Sequence, residues 1–105
     1  MVYLINSPVL TNFGSYVYKH VGIGDVKSTL NTKPFTSAIG HETTALFLTH
    51  LLGQNIPCNR IAIRQTGEDI LIVFKLKIRG VANKEYSFEE MEQAGYEFGI
   101  LTKTL

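Results

Sequence analysis

The chain has a single cysteine, Cys58, no tryptophan and only 3 prolines among 105 residues. One cysteine excludes an internal disulfide and fits a reducing, cytoplasmic compartment. No apolar run approaches the roughly 20 residues that a membrane-spanning helix needs. Met1–Asn6 lacks a basic start, and Asn6, Pro8, Thr11 and Asn12 interrupt the stretch that follows, so no secretory leader is expected. Neither sign of charge dominates, with 10 Lys and Arg against 9 Asp and Glu for a net charge of +1. Total charge therefore demands no nucleic-acid partner, and an anionic ligand would have to be held by local clustering. Internal repeats, low-complexity tracts and linkers are also missing, so residues 1–105 read as one domain.

What is present is an ordinary globular balance, 45% hydrophobic and 18% charged. That is enough for one modest core and too apolar for disorder. Val2–Asn6 reads as a buried strand, Ser7–Gly14 as a loop, and Ser15–Val21, rich in Tyr and Val, as a second strand. Asp25 is expected to cap a short helix, Val26–Leu30, after a turn at Gly22-Ile23-Gly24. Asn31–Phe35 reads as a connection. Ser37–Leu52 is expected to be mostly helical, firmly so over Thr43–Leu52, with Gly53 ending it. Ser87–Ala94 is a helix with Ser87 and Glu90 as a capping box, and Tyr96–Thr102 is a last strand.

Between the last two helices lies an expected hairpin, Arg60–Gln65 with Asp69–Arg79. Ile70, Ile72, Phe74, Leu76 and Ile78 alternate and share one face, and a turn at Thr66-Gly67 brings Ile61 and Ile63 to the same side. Arg60, Arg64, Lys75, Lys77 and Arg79 then share the opposite face with Leu71 and Val73, whose apolar character implies partial cover by a helix or a second subunit. These elements describe an α/β fold: a mixed sheet of about five strands with flanking helices.

Two features bear on chemistry, and each has two readings. Gly40 and His41 fall at the start of the firm helix. A helix N-terminus binds phosphate through free N–H groups and its dipole, and a His there can protonate a leaving oxygen. Equally, Gly40 can serve a tight turn and His41 be a solvated first-turn residue. The basic face, Arg60, Lys75 and Arg79 included, matches phosphate oxygens, or is simply a solvated sheet face. His41 and His50, nine residues apart, stand about half a turn out of phase and do not share a metal. No Cys, His or carboxylate spacing suggests a metal or cofactor site. Tyr16 and Tyr18 are expected to pack in the sheet, and Cys58 to be buried.

The run Tyr3-Leu4-Ile5-Asn6-Ser7, the block Ser37–Thr44 (SAIGHETT), the pair Asn59-Arg60, Arg79 after a strand, and Gly95-Tyr96-Glu97-Phe98-Gly99 follow one another in order. Together they resemble the viral ring nucleases, type III anti-CRISPR proteins with bacterial relatives, over essentially the whole chain. The resemblance implies a homodimer that binds cyclic tetra-adenylate and cuts it without metal or cofactor, the ribose 2′-hydroxyl attacking the adjacent phosphorus. His41 matches the histidine that protonates the departing 5′-oxygen. Arg60 and Arg79 match arginines that hold the ring, and Asn6, the loop near Thr11, Thr43 and Thr44 match ligand contacts. One position departs: Ala82 stands where the family usually carries a glutamate thought to assist the histidine, with Glu85 nearby. The expected function is cleavage of cyclic tetra-adenylate against type III CRISPR signalling. The alternatives are a binder that sequesters the messenger uncut, and a small nucleic-acid-binding regulator.

Overall fold

A computed structural model describes residues 1–6, 13–77 and 86–104. Its elements run β1 (Val2–Ile5), β2 (Tyr16–Val21), α1 (Ile23–Thr32), β3 (Phe35–Ser37), α2 (Glu42–Leu52), β4 (Ile70–Leu76), α3 (Phe88–Ala94) and β5 (Tyr96–Lys103). The five strands form one sheet in the order β2-β5-β4-β1-β3. β1 pairs in parallel with β3 and β4, while β5 is antiparallel to both β4 and β2. The expected α/β class and mixed five-stranded sheet are thus what the chain forms.

β4 holds the centre because its Ile-Leu-Ile-Val-Phe run is apolar on both faces, the pattern of a strand covered on two sides. On one face Ile72 and Phe74 join Val2, Leu4 and Phe98 of the neighbouring strands in the main core. Val26 and Leu30 of α1, Ala45, Phe47, Leu48 and Leu52 of α2, and Met91 of α3 close over them, so all three helices share that face. Phe47 is the hub, stacking edge-on against Phe88 and Tyr96 at 5.5 and 5.7 Å. On the other face Leu71 and Val73 form a smaller cluster with Ile5 and Leu101, flanked by Tyr3, Tyr16, Ala38 and Ile63.

Several sequence expectations give way here. Arg60–Gln65 is not a strand, and the hairpin does not form: β4 takes β1 and β5 as partners instead. The chain before β4 is held by side chains. The Asp69 carboxylate accepts from the Thr66 N–H (2.9 Å) and hydroxyl (3.1 Å), and the buried Gln65 amide donates to the Leu101 carbonyl (2.9 Å). Partial burial pushes the Asp69 carboxyl up, but those bonds and the Met1 ammonium outweigh it and hold it below its ordinary 3.8. Ile63 consequently packs on the Leu71–Val73 side, opposite to the expected register, and Ile61 stays exposed. The cover over Leu71 and Val73 comes from the chain itself.

α1 is longer than expected and starts inside the supposed glycine turn: Gly22 is its N-cap, and Asp25 sits in its first turn. Ser37 belongs to β3 rather than to a helix, and α2 begins only at Glu42. The two helix stops and starts with strong local chemistry are as expected. Gly53 ends α2 in the left-handed region at φ 69°, and Ser87 and Glu90 form both halves of a capping box.

Candidate functional site

Parallel β1 and β3 end side by side, and the Ala38 N–H donates to the Leu4 carbonyl at 2.8 Å to prolong their pairing. The chain then turns into α2. Ligand sites of α/β sheets gather at this end, where parallel strands hand over to helix starts. Here the segment Ala38–His41 lies next to Asn6, which follows β1.

A second segment, Pro57–Arg60, is laced to the first. Ser37, only 4% exposed, donates its hydroxyl to the Pro57 carbonyl (2.6 Å) and accepts from the Ile39 N–H (3.3 Å). The Asn59 N–H donates to the Ile39 carbonyl (2.8 Å), and its side-chain amide donates to the Ser37 carbonyl (2.8 Å). Cys58 and Ile39 form a parallel bridge. Last in the series, the Arg60 Nε donates to the Gly40 carbonyl at 2.7 Å. That bond leaves both terminal NH2 groups of the guanidinium for another acceptor. Gly40 permits this approach because it has no side chain: a Cβ there would stand 3.3 Å from Arg60 Cγ.

His41 is the N-cap of α2, with extended φ −123° and ψ 129° and no side-chain cap bond. Its carbonyl accepts the first helical bond, from Ala45 at 3.0 Å, and its side chain is exposed. The N–H groups of the first turn, those of Glu42, Thr43 and Thr44, have no intrahelical acceptor. They and the positive end of the helix dipole favour an anion, as does the adjacent arginine. Glu42, also exposed, adds the one acidic side chain in this turn.

Of the sequence-predicted site residues, His41, Thr43, Thr44 and Arg60 come together, and Asn6 lies at the same end of the sheet. Arg60 does so by a route other than the hairpin face. Lys75 is in β4, exposed and paired in register with Glu97, on the sheet face away from the helices. It is close to the carboxyl end of β4, beside β1, whose Ile5 is in register with Val73. Arg64 is exposed in the segment before β4, so the five basic residues do not share one strand face. Thr11, Arg79, Ala82 and Glu85 lie outside the described residues. Cys58 is exposed rather than buried. Tyr18 is 51% exposed, with its ring across Gly99, where a Cβ would fall 2.4 Å from it. Burial against the sheet, and then the negative charge of Glu97, raise its hydroxyl above the ordinary 10.0. Among the described residues no group of three or more His, Cys, Asp or Glu side chains is arranged to hold a metal, and no helix is long and apolar enough to cross a membrane.

Ser37 and Asn59 are the residues whose part was not legible. Both stand in the motif blocks, but only the folded chain brings Pro57–Asn59 against Ser37–Ile39 and so bonds residues some 20 positions apart.

A model of the STIV B116-like family matches residues 2–98. The chain belongs to that family. It is 38% identical over 105 residues to uncharacterized protein 26 of Sulfolobus islandicus filamentous virus, covering 95% of this chain and 89% of the viral one. It is also 35% identical over 101 residues to the uncharacterized protein YddF of Bacillus subtilis, covering 94% of each. Among solved structures it is similar to B116 of Sulfolobus turreted icosahedral virus, with a TM-score of 0.76 over 96% of this chain and 97% of that one. At 20% identity that likeness speaks for the fold alone. At this coarse level the family agrees with the resemblance to viral proteins with bacterial relatives.

Proposed function

We propose that this chain binds cyclic tetra-adenylate in the cytoplasm as a two-fold dimer and opens the ring by metal-independent phosphodiester cleavage, so limiting type III CRISPR signalling. The observation that supports this most is the Arg60 tether. The guanidinium is fixed by Nε to the carbonyl just before the uncapped start of α2, and His41 stands exposed at that start. Arginine, first-turn N–H groups and histidine thus gather at one helix start, a fitting arrangement for a phosphodiester. In the reaction, the ribose 2′-oxygen bonds to the adjacent phosphorus as the bond from phosphorus to the 5′-oxygen breaks. His41 gives the departing 5′-oxygen a proton, the 2′-hydroxyl proton passes to water, and a linear product with a 2′,3′-cyclic phosphate results. Arg60 and the α2 N–H groups hold the phosphate oxygens as charge shifts among them.

The second reading, a binder that sequesters the ring uncut, is favoured by Ala82, which supplies no carboxylate to assist the histidine. Incubating the protein with cyclic tetra-adenylate in EDTA and resolving the products decides between them. Linear products are expected, and His41→Ala should slow their formation by about 10²–10⁴-fold while sparing binding, as removal of a general acid does. Tight binding with no products means a sponge. Absence of both, with duplex nucleic acid bound instead, overturns the proposal in favour of a regulator.

A further inference from the structure

We propose that Asn59 is the positioning residue of this site, the group that makes the Arg60 guanidinium and the start of α2 a single preset unit. The inference rests on the function proposed above only where a ligand is used to test it.

The argument begins with what Arg60 lacks. It is outside every strand and helix, and it is exposed, so neither a regular backbone ladder nor core packing orients it. A long side chain in that setting samples many rotamers, and fixing it costs conformational entropy. Among the described residues its anchor is the Gly40 carbonyl. That anchor holds only if the backbone of residue 60 keeps its place beside residue 40, and Asn59 provides that place twice. Its N–H bonds the Ile39 carbonyl, and its side-chain amide spans to the Ser37 carbonyl, both at 2.8 Å. Three successive donors of one segment, Asn59 Nδ2, Asn59 N and Arg60 Nε, thereby meet carbonyls of Ser37, Ile39 and Gly40. The side-chain bond matters most because a carbonyl accepts only from the amide NH2, which fixes which way Asn59 turns. Aspartate, equal in size, has no donor to offer and would set a carboxylate against that carbonyl. Ser37 is buried, so the loss falls on a group that water does not readily replace.

The consequence for binding is preorganisation. Arg60 meets a phosphate with its terminal NH2 groups already aimed and little rotamer freedom left to lose. Asn59 touches no ligand in this account; it acts through Arg60.

The test has a ligand-free arm and a ligand arm. In the first, the Arg60 Nε–H signal is followed by nitrogen-resolved NMR. It should exchange with water at least about tenfold faster in Asn59→Ala and Asn59→Asp than in the wild type, as expected when its hydrogen bond opens more often. In the second, affinity for cyclic tetra-adenylate is measured in a double-mutant cycle. Asn59→Ala should weaken binding about tenfold in the wild-type background and have almost no further effect beside Arg60→Ala, since coupled residues are not additive. Thermal unfolding of each variant accompanies both arms. Should Asn59→Asp not fold, Asn59→Ala, which keeps the backbone bond, carries the measurement. Unchanged Nε–H exchange, or additive losses in the cycle, would overturn the positioning role. A wild type that does not bind the ring at all would instead sink the proposed function, and the exchange arm would still decide the role of Asn59.

Discussion

Gly40 shows how much a single hydrogen atom in place of a methyl can decide at the residue scale. It has no left-handed φ to demand glycine; positive values occur at Gly14, Gly53 and Gly95. What it has is the Arg60 side chain lying across its Cα, with room for no Cβ at ordinary contact distance. Gly40→Ala is therefore expected to separate stability from binding. Alanine narrows the unfolded ensemble and is worth roughly 0.4–1 kcal/mol there, which offsets part of the new crowding. The arginine, being exposed, moves aside and loses its tether. The expected outcome is a melting temperature within about 2–3 °C of the wild type, and an affinity for cyclic tetra-adenylate lower by about tenfold, the size of one weakened charge-assisted contact. Calorimetric titration and a thermal melt on the same sample check both. An unaltered affinity would mean that the Nε tether does not govern how Arg60 meets the ligand.

Elements with local chemistry behave as the sequence implies, and those decided by distant partners do not. α3 has only seven residues and is too short to persist by propensity alone. It depends on the reciprocal bonds between Ser87 and Glu90, on Met91 buried in the main core, and on the edge-on contact of Phe88 with Phe47. Ser87→Ala should cost about 1 kcal/mol, read as a lower urea midpoint at unchanged slope. The same locality explains why Ser87, Gly53 and the two-faced apolar run of β4 were legible. The partners of β4 were not. Alternation at Ile61 and Ile63 permits a hairpin, but β1 and β5 occupy both edges of β4, and the Asp69–Thr66 and Gln65–Leu101 bonds take the intervening chain elsewhere. β3 escaped notice because three residues carry no period; it is a strand only because β1 lies beside it. The site divides in the same way. His41 at a helix start was legible from Gly40 and the periodicity that follows, and Arg60 from its motif, but the bond from Arg60 to Gly40 depends on the end of β3 and the segment Pro57–Arg60 meeting, which no local pattern encodes.

For the whole molecule, the question is what one chain can present to a cyclic ligand. All three helices lie on one face of the sheet, and the His41–Arg60 region opens at one end of it, exposed to solvent rather than enclosed. One copy offers one imidazole and one Arg60 fork. A ring of four equivalent nucleotides has phosphates on every side, so a single copy grips only part of it. Two copies related by a two-fold axis present the same groups to opposite halves, and a two-fold axis is compatible with the four-fold chemical symmetry of the ring. The expected outcome is a dimer by sedimentation equilibrium and one ring bound per pair of chains by calorimetric titration. Mixing sharpens the test. If each His41 acts on its own half of the ring, hybrids of wild type and His41→Ala should keep about half the initial cleavage rate per bound ring, because each retains one of two independent acids. A monomer that binds one ring per chain and forms no hybrid species on mixing would remove the second copy from the site and leave the four-fold ligand without a structural reason to be preferred.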